Sequence, residues 1–234
     1  MSLSSSPRLV LALACVLSLA AAVAGCNNTV VVQLMSGAQS FELSAASIDV
    51  PVELRDGSNL MSLPCPTGEC PSTAELPLTC AGGVCDPDPI TLSAPVGDVI
   101  DFDVLLREAS TLLRFVDAIE IARVQYAASP NSLTVDVPDI EIFWGPEGAA
   151  GIDSPGVNLL GIIPALPAGT AREGDMVIDG AGSAALSDHI VLVSKRVRFF
   201  ARTQVDLRPG GPIPGGGATV TVNLTVRAIG RIID

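Results

Sequence analysis

The feature that most constrains this chain is a period-two alternation of aliphatic and polar residues, repeated in short runs that glycine and proline interrupt. Ile48, Val50, Val52 and Leu54 alternate with Asp49, Pro51, Glu53 and Arg55, and Ile100, Phe102 and Val104 alternate with Asp101 and Asp103. Successive side chains of a strand point to opposite faces, so each run fits a strand with one face buried and the other in water. Pro51 has no amide hydrogen to give a central ladder, which puts its run at an edge or a bulge. Residues 29–35, 197–207 and 218–232 are rich in β-branched residues and extend the pattern. Aromatic residues are 3% of the chain, so the core has to be built from Val, Ile, Leu and Ala. The expected fold is mainly β: an antiparallel β-sandwich with one or two short helices.

Elsewhere the period changes. Leu105, Ala109, Leu112, Val116 and Ile119 recur at spacings of four and three, which predicts a helix over about 105–117. Two β-rich runs, 119–126 and 133–143, flank Ala-Ala-Ser-Pro-Asn-Ser and predict a hairpin with Pro130 and Asn131 in its turn. Residues 145–174 read as loop around a short apolar strand candidate at 157–163. Residues 183–193 fit either a helix or a strand beginning at Ile190.

The N-terminus carries an address. Arg8 is the only charge before an apolar run over residues 9–24, a positive n-region followed by an h-region. The run is shorter than the roughly 20 residues that cross a bilayer as a helix, and it closes on small residues as a processed signal does. Val23-Ala24-Gly25-Cys26 resembles the bacterial lipobox, a branched apolar residue and two small ones before the cysteine that takes a lipid. The resemblance covers the signal region alone. It implies cleavage before Cys26, a thioether-linked diacylglycerol with fatty acyl chains such as palmitate, and a membrane anchor that does not span. Asn27 rather than Asp follows the cysteine, which by the same resemblance implies the outer membrane of a bacterial cell envelope. The expected organisation is a signal peptide at 1–25, a lipidated N-terminus at 26–28 and a single β-rich domain at 29–234.

Export bears on the remaining cysteines. Cys65, Cys70, Cys80 and Cys85 form two C-x4-C pairs within residues 63–89, a stretch crowded with Pro, Gly and Thr. Such a segment builds little core, and two disulfides would hold it in shape; three connectivities are open. A zinc site is the rival reading, but C-x4-C departs from the usual C-x2-C and no histidine lies nearby.

The formal charge is −12, and removal of residues 1–25, which hold Arg8 and no acid, makes it one unit more negative. That surface argues against nucleic acid as a partner. Lys195, Arg196, Arg198, Arg202 and Arg208 are the local exception. On a strand, Arg196, Arg198 and Arg202 share one face, suited to anionic headgroups or an acidic partner, or else to pairing with local acids such as Asp206. Trp144 is either an exposed recognition aromatic or ordinary packing.

Catalytic signals are sparse. His189 is the one histidine, in Ser187-Asp188-His189, and no G-x-S-x-G elbow accompanies it. Asp86, Asp88, Asp98, Asp101 and Asp103, with Asp136, Asp139 and Glu141, offer carboxylates, but the D-x-[DN]-x-[DN]-G calcium loop is missing. No catalytic residue, metal or cofactor is therefore expected. The leading expectation is a non-enzymatic, lipid-anchored envelope protein acting as a structural or protein-interaction module, with an envelope protein as partner. A carrier for an apolar ligand comes second, on the aliphatic content and the apolar pieces at 157–163 and 190–193. A carboxylate-based enzyme comes third.

Overall fold

A computed structural model describes residues 29–45, 48, 50–71, 76–110 and 113–232. The expected signal peptide at 1–25 and the expected lipidated N-terminus at 26–28 lie outside the described residues. The chain begins with β1 (Thr29–Met35) and β2 (Gln39–Ser44). An excursion follows through a 3-10 turn (Val52–Leu54) and two small hairpins, β3 (Arg55–Asp56) with β4 (Asn59–Leu60) and β5 (Leu78–Ala81) with β6 (Val84–Pro87). Then come β7 (Ile90–Asp101), α1 (Phe102–Ser110), β8 (Leu113–Asn131), β9 (Ile140–Pro146) and β10 (Asn158–Ile163). The chain continues with β11 (Arg172–Asp175), β12 (Val177–Ile178), α2 (Gly180–Leu192), β13 (Arg196–Val205) and β14 (Gly217–Ile232).

The strands make an antiparallel sandwich. One sheet runs β1-β14-β8-β11, with β2 continuing β1 along the same side of β14; the other runs β12-β10-β9-β13-β7. Inward side chains of both sheets form one aliphatic core, with Leu34, Ile119, Val124, Val220 and Val226 from the first sheet and Val96, Ile140, Ile142, Leu160 and Val197 from the second. Phe102 and Leu106 of α1 and Leu186 and Ile190 of α2 complete it.

Most connections change sheet, and that explains the departures from expectation. The run at 119–126 belongs to β8, which pairs with β14 and β11, whereas β9 pairs with β10 and β13, so the expected hairpin at Pro130 and Asn131 does not form. The chain instead crosses between sheets with Leu133 and Val137 buried in the core. Asn131 fixes the crossing: its Nδ2 donates to the carbonyls of Pro167 (2.9 Å) and Thr170 (2.8 Å), and its Oδ1 accepts from the Leu133 amide (3.0 Å). The expected strand at 100–104 stops at Asp101, whose Oδ1 accepts the Asp103 amide at 2.9 Å and so caps α1. The helix therefore occupies Phe102–Ser110 rather than 105–117, and Val116 and Ile119 lie on β8. The described residues within 48–54 form no strand either. Ile48, Val50 and Leu54 are buried, but Val52 sits 71% exposed in the 3-10 turn, and Arg55 Nε donates to the Val50 carbonyl at 2.8 Å. The ambiguous stretch near 183–193 is helix, and 157–163 contains the strand β10.

Two ends of the sandwich matter for function. At the entry end Thr29 pairs with Arg231, Ile232 with Leu113, Arg196 with Asp101 and Val197 with Pro146. There α1 carries the chain from β7 in one sheet to β8 in the other, and the Phe102 amide donates to the Lys195 carbonyl at 2.8 Å. At the far end Val205 pairs with Ile90 and Gly217 with Ser44. A second apolar cluster caps that end, with Ile48, Val50, Leu54, Leu60 and Leu76 of the excursion packed with Val205 and Leu207.

Candidate functional site

The cysteine-bearing segment rides on the far-end cluster. Cys80 and Cys85 face each other across the β5–β6 hairpin, yet they do not bond to each other. The disulfides are Cys65–Cys80 and Cys70–Cys85, with Cα atoms 6.1 and 5.7 Å apart and partners separated by 15 positions in sequence in each case. This pairing selects one of the connectivities the sequence left open, and it staples residues 65–71 to the hairpin from one side. The Sγ atoms of Cys65, Cys70 and Cys80 all lie within 4.8 Å of one another, close enough for a shared metal ion. In disulfide form they are not thiolates, the species that ligates soft metals.

The basic stretch is divided between the entry end and mid-strand. Lys195 Nζ lies 2.8 Å from Asp103 of α1, and Arg196 lies 2.6 Å from Glu147 and 3.9 Å from Asp101. Farther along β13, Arg202 meets Glu141 of β9 at 2.7 Å and stacks 4.9 Å over the Phe143 ring. Cross-strand register puts Arg202 opposite Glu141 and Arg196 opposite Asp101, so the acids that answer these cations come from β7, β9, α1 and the loop after β9 rather than from Asp206. Pairs this exposed contribute about 0–1 kcal/mol each. Arg198 is half-buried between them, and its Nε has no hydrogen-bond partner among the described residues.

Trp144 is packing. It is 2% exposed in the core, and its Nε1–H donates to the Gly182 carbonyl at 2.9 Å, joining β9 to α2. The His189 ring tilts against it with centroids 5.3 Å apart, and His189 Nε2 is enclosed without a hydrogen-bond partner among the described residues. Burial pushes the His189 pKa below its ordinary 6.5. The unfolded chain therefore takes up this proton at higher pH than the folded chain does. The stability due to neutral His189 is fully present above about pH 6.5 and is lost as pH falls through the lowered folded value. Thermal melts are expected to show a falling midpoint between about pH 7 and pH 5, and a smaller fall in His189→Gln. Equal falls in the two proteins would contradict this role.

The carboxylates serve the framework. Asp136 Oδ1 accepts the Ala168 amide (2.8 Å), Asp139 Oδ1 the Ala165 amide (2.9 Å) and Asp88 Oδ1 the Thr79 hydroxyl (2.9 Å). Between the sheets, a cavity lined by Val96, Ile100, Val124, Phe199 and Leu224 measures about 20 Å³. That is room for about one water. A groove of about 290 Å³ at the far end runs beside Glu42, Ser44 and Pro130 and over the backbone of Gly216 and Gly217. Among the described residues, no histidine, cysteine or basic side chain lines it.

The apolar piece at 190–193, read from the sequence as a possible cavity lining, lies at the entry end and in part faces outward. Leu192 and Val193, at the C-terminus of α2, are 76% and 75% exposed. Their exposure depends on α2 being a helix whose last turn leaves the core, and the periodicity left helix and strand undecided there.

No family model matches the chain, and no curated protein matches it. Among solved structures, Desmodium yellow mottle tymovirus is similar at 10% identity over 100% of this chain and 98% of that one, with a TM-score of 0.29. The empty head of turnip yellow mosaic virus follows at 13% identity, 77% and 98% coverage and a TM-score of 0.23. Infectious bursal disease virus, Gx strain, gives 11% identity, 91% and 59% coverage and a TM-score of 0.22. Likeness at this level carries no functional argument.

Proposed function

We propose that the chain is a lipid-anchored protein of the bacterial cell envelope, held in the outer membrane, whose β-sandwich is a non-enzymatic structural or protein-interaction module. The observation that carries this reading is Val23-Ala24-Gly25-Cys26 at the close of the apolar run 9–24. The anchor leads almost directly into the fold: Cys26 stands three residues before Thr29, where β1 begins, a span of at most about 10 Å. A domain so tethered works within reach of the membrane and of proteins embedded in it. Its disulfides fit an oxidising compartment. Four of the carboxylates weighed for chemistry, Asp101, Asp136, Asp139 and Glu141, are engaged in a cap, loop staples and an ion pair.

The carrier reading draws little support from the interior, because the cavity between the sheets has no room for an acyl chain. Cys26→Ser tests the anchor by cell fractionation. The unaltered protein is expected in the membrane pellet, released by detergent but not by high salt, and the variant in the soluble envelope fraction. Equal partitioning of the two would sink the reading.

A further inference from the structure

We infer that the entry end of the sandwich rests on the lipid leaflet that holds Cys26, with Val191, Leu192 and Val193 set among the headgroups. This rests on the lipid-anchor reading.

The inference begins with the composition of α2. Its sequence, GAGSAALSDHIVL, is apolar nearly all round, and a helix of that kind normally finds cover on every side. The domain covers one side, through Gly182, Leu186 and Ile190. The last turn is left open, with Val191, Leu192 and Val193 contiguous and Leu192 and Val193 about three-quarters exposed. Isolated exposed aliphatics need no explanation, but a contiguous apolar tip marks a contact surface.

Placement selects the occupant. Val193 is two residues before Lys195, whose carbonyl receives the Phe102 amide and whose Nζ meets Asp103, next to the exposed Val104 of α1. All of these lie at the end where Thr29 enters the first sheet opposite Arg231. The chain upstream of Thr29 holds Cys26 and the apolar run 9–24, so the tip and the anchor share one end of the molecule.

The chemistry also sets the depth. Val193 and Ser194 both donate their amides to the His189 carbonyl, and the final carbonyls of a helix lack intrahelical donors. Those carbonyls need water or headgroup donors, which hydrocarbon does not supply, so the tip seats at the interface. The collar around it is nearly balanced, with the cations Lys195 and Arg196 set against the acids Asp103, Glu147 and Asp101, one negative charge in excess in a chain whose overall charge is −12. An anionic leaflet therefore meets less repulsion here than the net charge suggests.

The test uses the mature protein purified with its own lipid and placed in phosphatidylethanolamine–phosphatidylglycerol vesicles. Val193→Trp reports on the tip and Ser58→Trp, in the far-end turn between β3 and β4, is the control; the enclosed Trp144 is a background common to both. The added Val193→Trp fluorescence is expected to move to the blue and to be quenched by lipids with brominated acyl chains, and that of Ser58→Trp to do neither. A water-like, unquenched signal from Val193→Trp in protein whose mass includes lipid on Cys26 overturns the inference and leaves the tip to a protein partner. A mass without lipid overturns the anchor reading instead. The free Cys26 thiol is then coupled to a maleimide lipid, and the same fluorescence decides the contact.

Discussion

Gly182→Ala is expected to cost about 3 kcal/mol or more and to lower the thermal midpoint by about 2–4 °C for each of them. A Cβ built at Gly182 falls 1.6 Å from the Leu159 carbonyl oxygen and 2.8 Å from its carbon, both backbone atoms of β10. Neither atom belongs to a flexible side chain, so α2 has to move away from the sheet. That movement pulls the Gly182 carbonyl off Trp144 Nε1 and disturbs the cap in which Asp179 Oδ1 accepts the Gly182 amide at 2.6 Å. It also lifts Leu186 and Ile190, both fully buried, out of the core. Gly180→Ala is the control, because nothing lies within 4 Å of a Cβ there. That change is expected to be neutral or stabilising by up to about 1 kcal/mol. Chemical denaturation of the two variants checks the pair, and equal midpoints would contradict the close approach of α2 to β10.

Removal of the Cys65–Cys80 bridge, as Cys65→Ser with Cys80→Ser, is expected to cost about 2–4 kcal/mol, and likewise for Cys70–Cys85. The two bridges close loops of the same length, 15 residues, and both restrain a segment that contributes few core residues of its own. The loss should be local in origin. Leu54, Leu60 and Leu76 bury themselves against Val205 and Leu207 only while the hairpins are held over the far end. Hydrogen exchange is therefore expected to rise first in residues 50–64 and 76–92, with β8 and β14 keeping their protection until global unfolding. A uniform rise across both sheets, or an unchanged denaturation midpoint, would contradict this division of the molecule.

Much of the fold was legible in the sequence, for a physical reason. Strands 29–35 and 218–232 alternate against one core, and the β-branched residues that favour them are the residues that fill it, as Val220, Leu224 and Val226 do. The same alternation misled at Ile48 to Leu54, because Ile48, Val50 and Leu54 are apolar in order to pack on the far-end cluster, and a 3-10 turn that exposes Val52 does so without joining a ladder. At Phe102 the deciding group was Asp101, whose cap turns the chain into α1 while the apolar spacing still reads as strand. The hairpin expected at Pro130 failed on topology: connections that cross between sheets leave sequence neighbours unpaired, and no local pattern records this. In the candidate sites, the cysteine segment was evident as a disulfide framework, but its pairing depended on how residues 65–71 lie on the β5–β6 hairpin. The basic strand was visible, whereas its partners Glu141, Glu147 and Asp103 were assembled by cross-strand register and by α1. The apolar tip at Leu192 and Val193 had no sequence signature distinct from core.

The most direct test of the central claim is the mass of the N-terminal peptide of the protein isolated from bacterial membranes. The account predicts a chain that begins at Cys26 and carries diacylglycerol with further acyl substitution. A chain that begins elsewhere, or an unmodified Cys26, would contradict it.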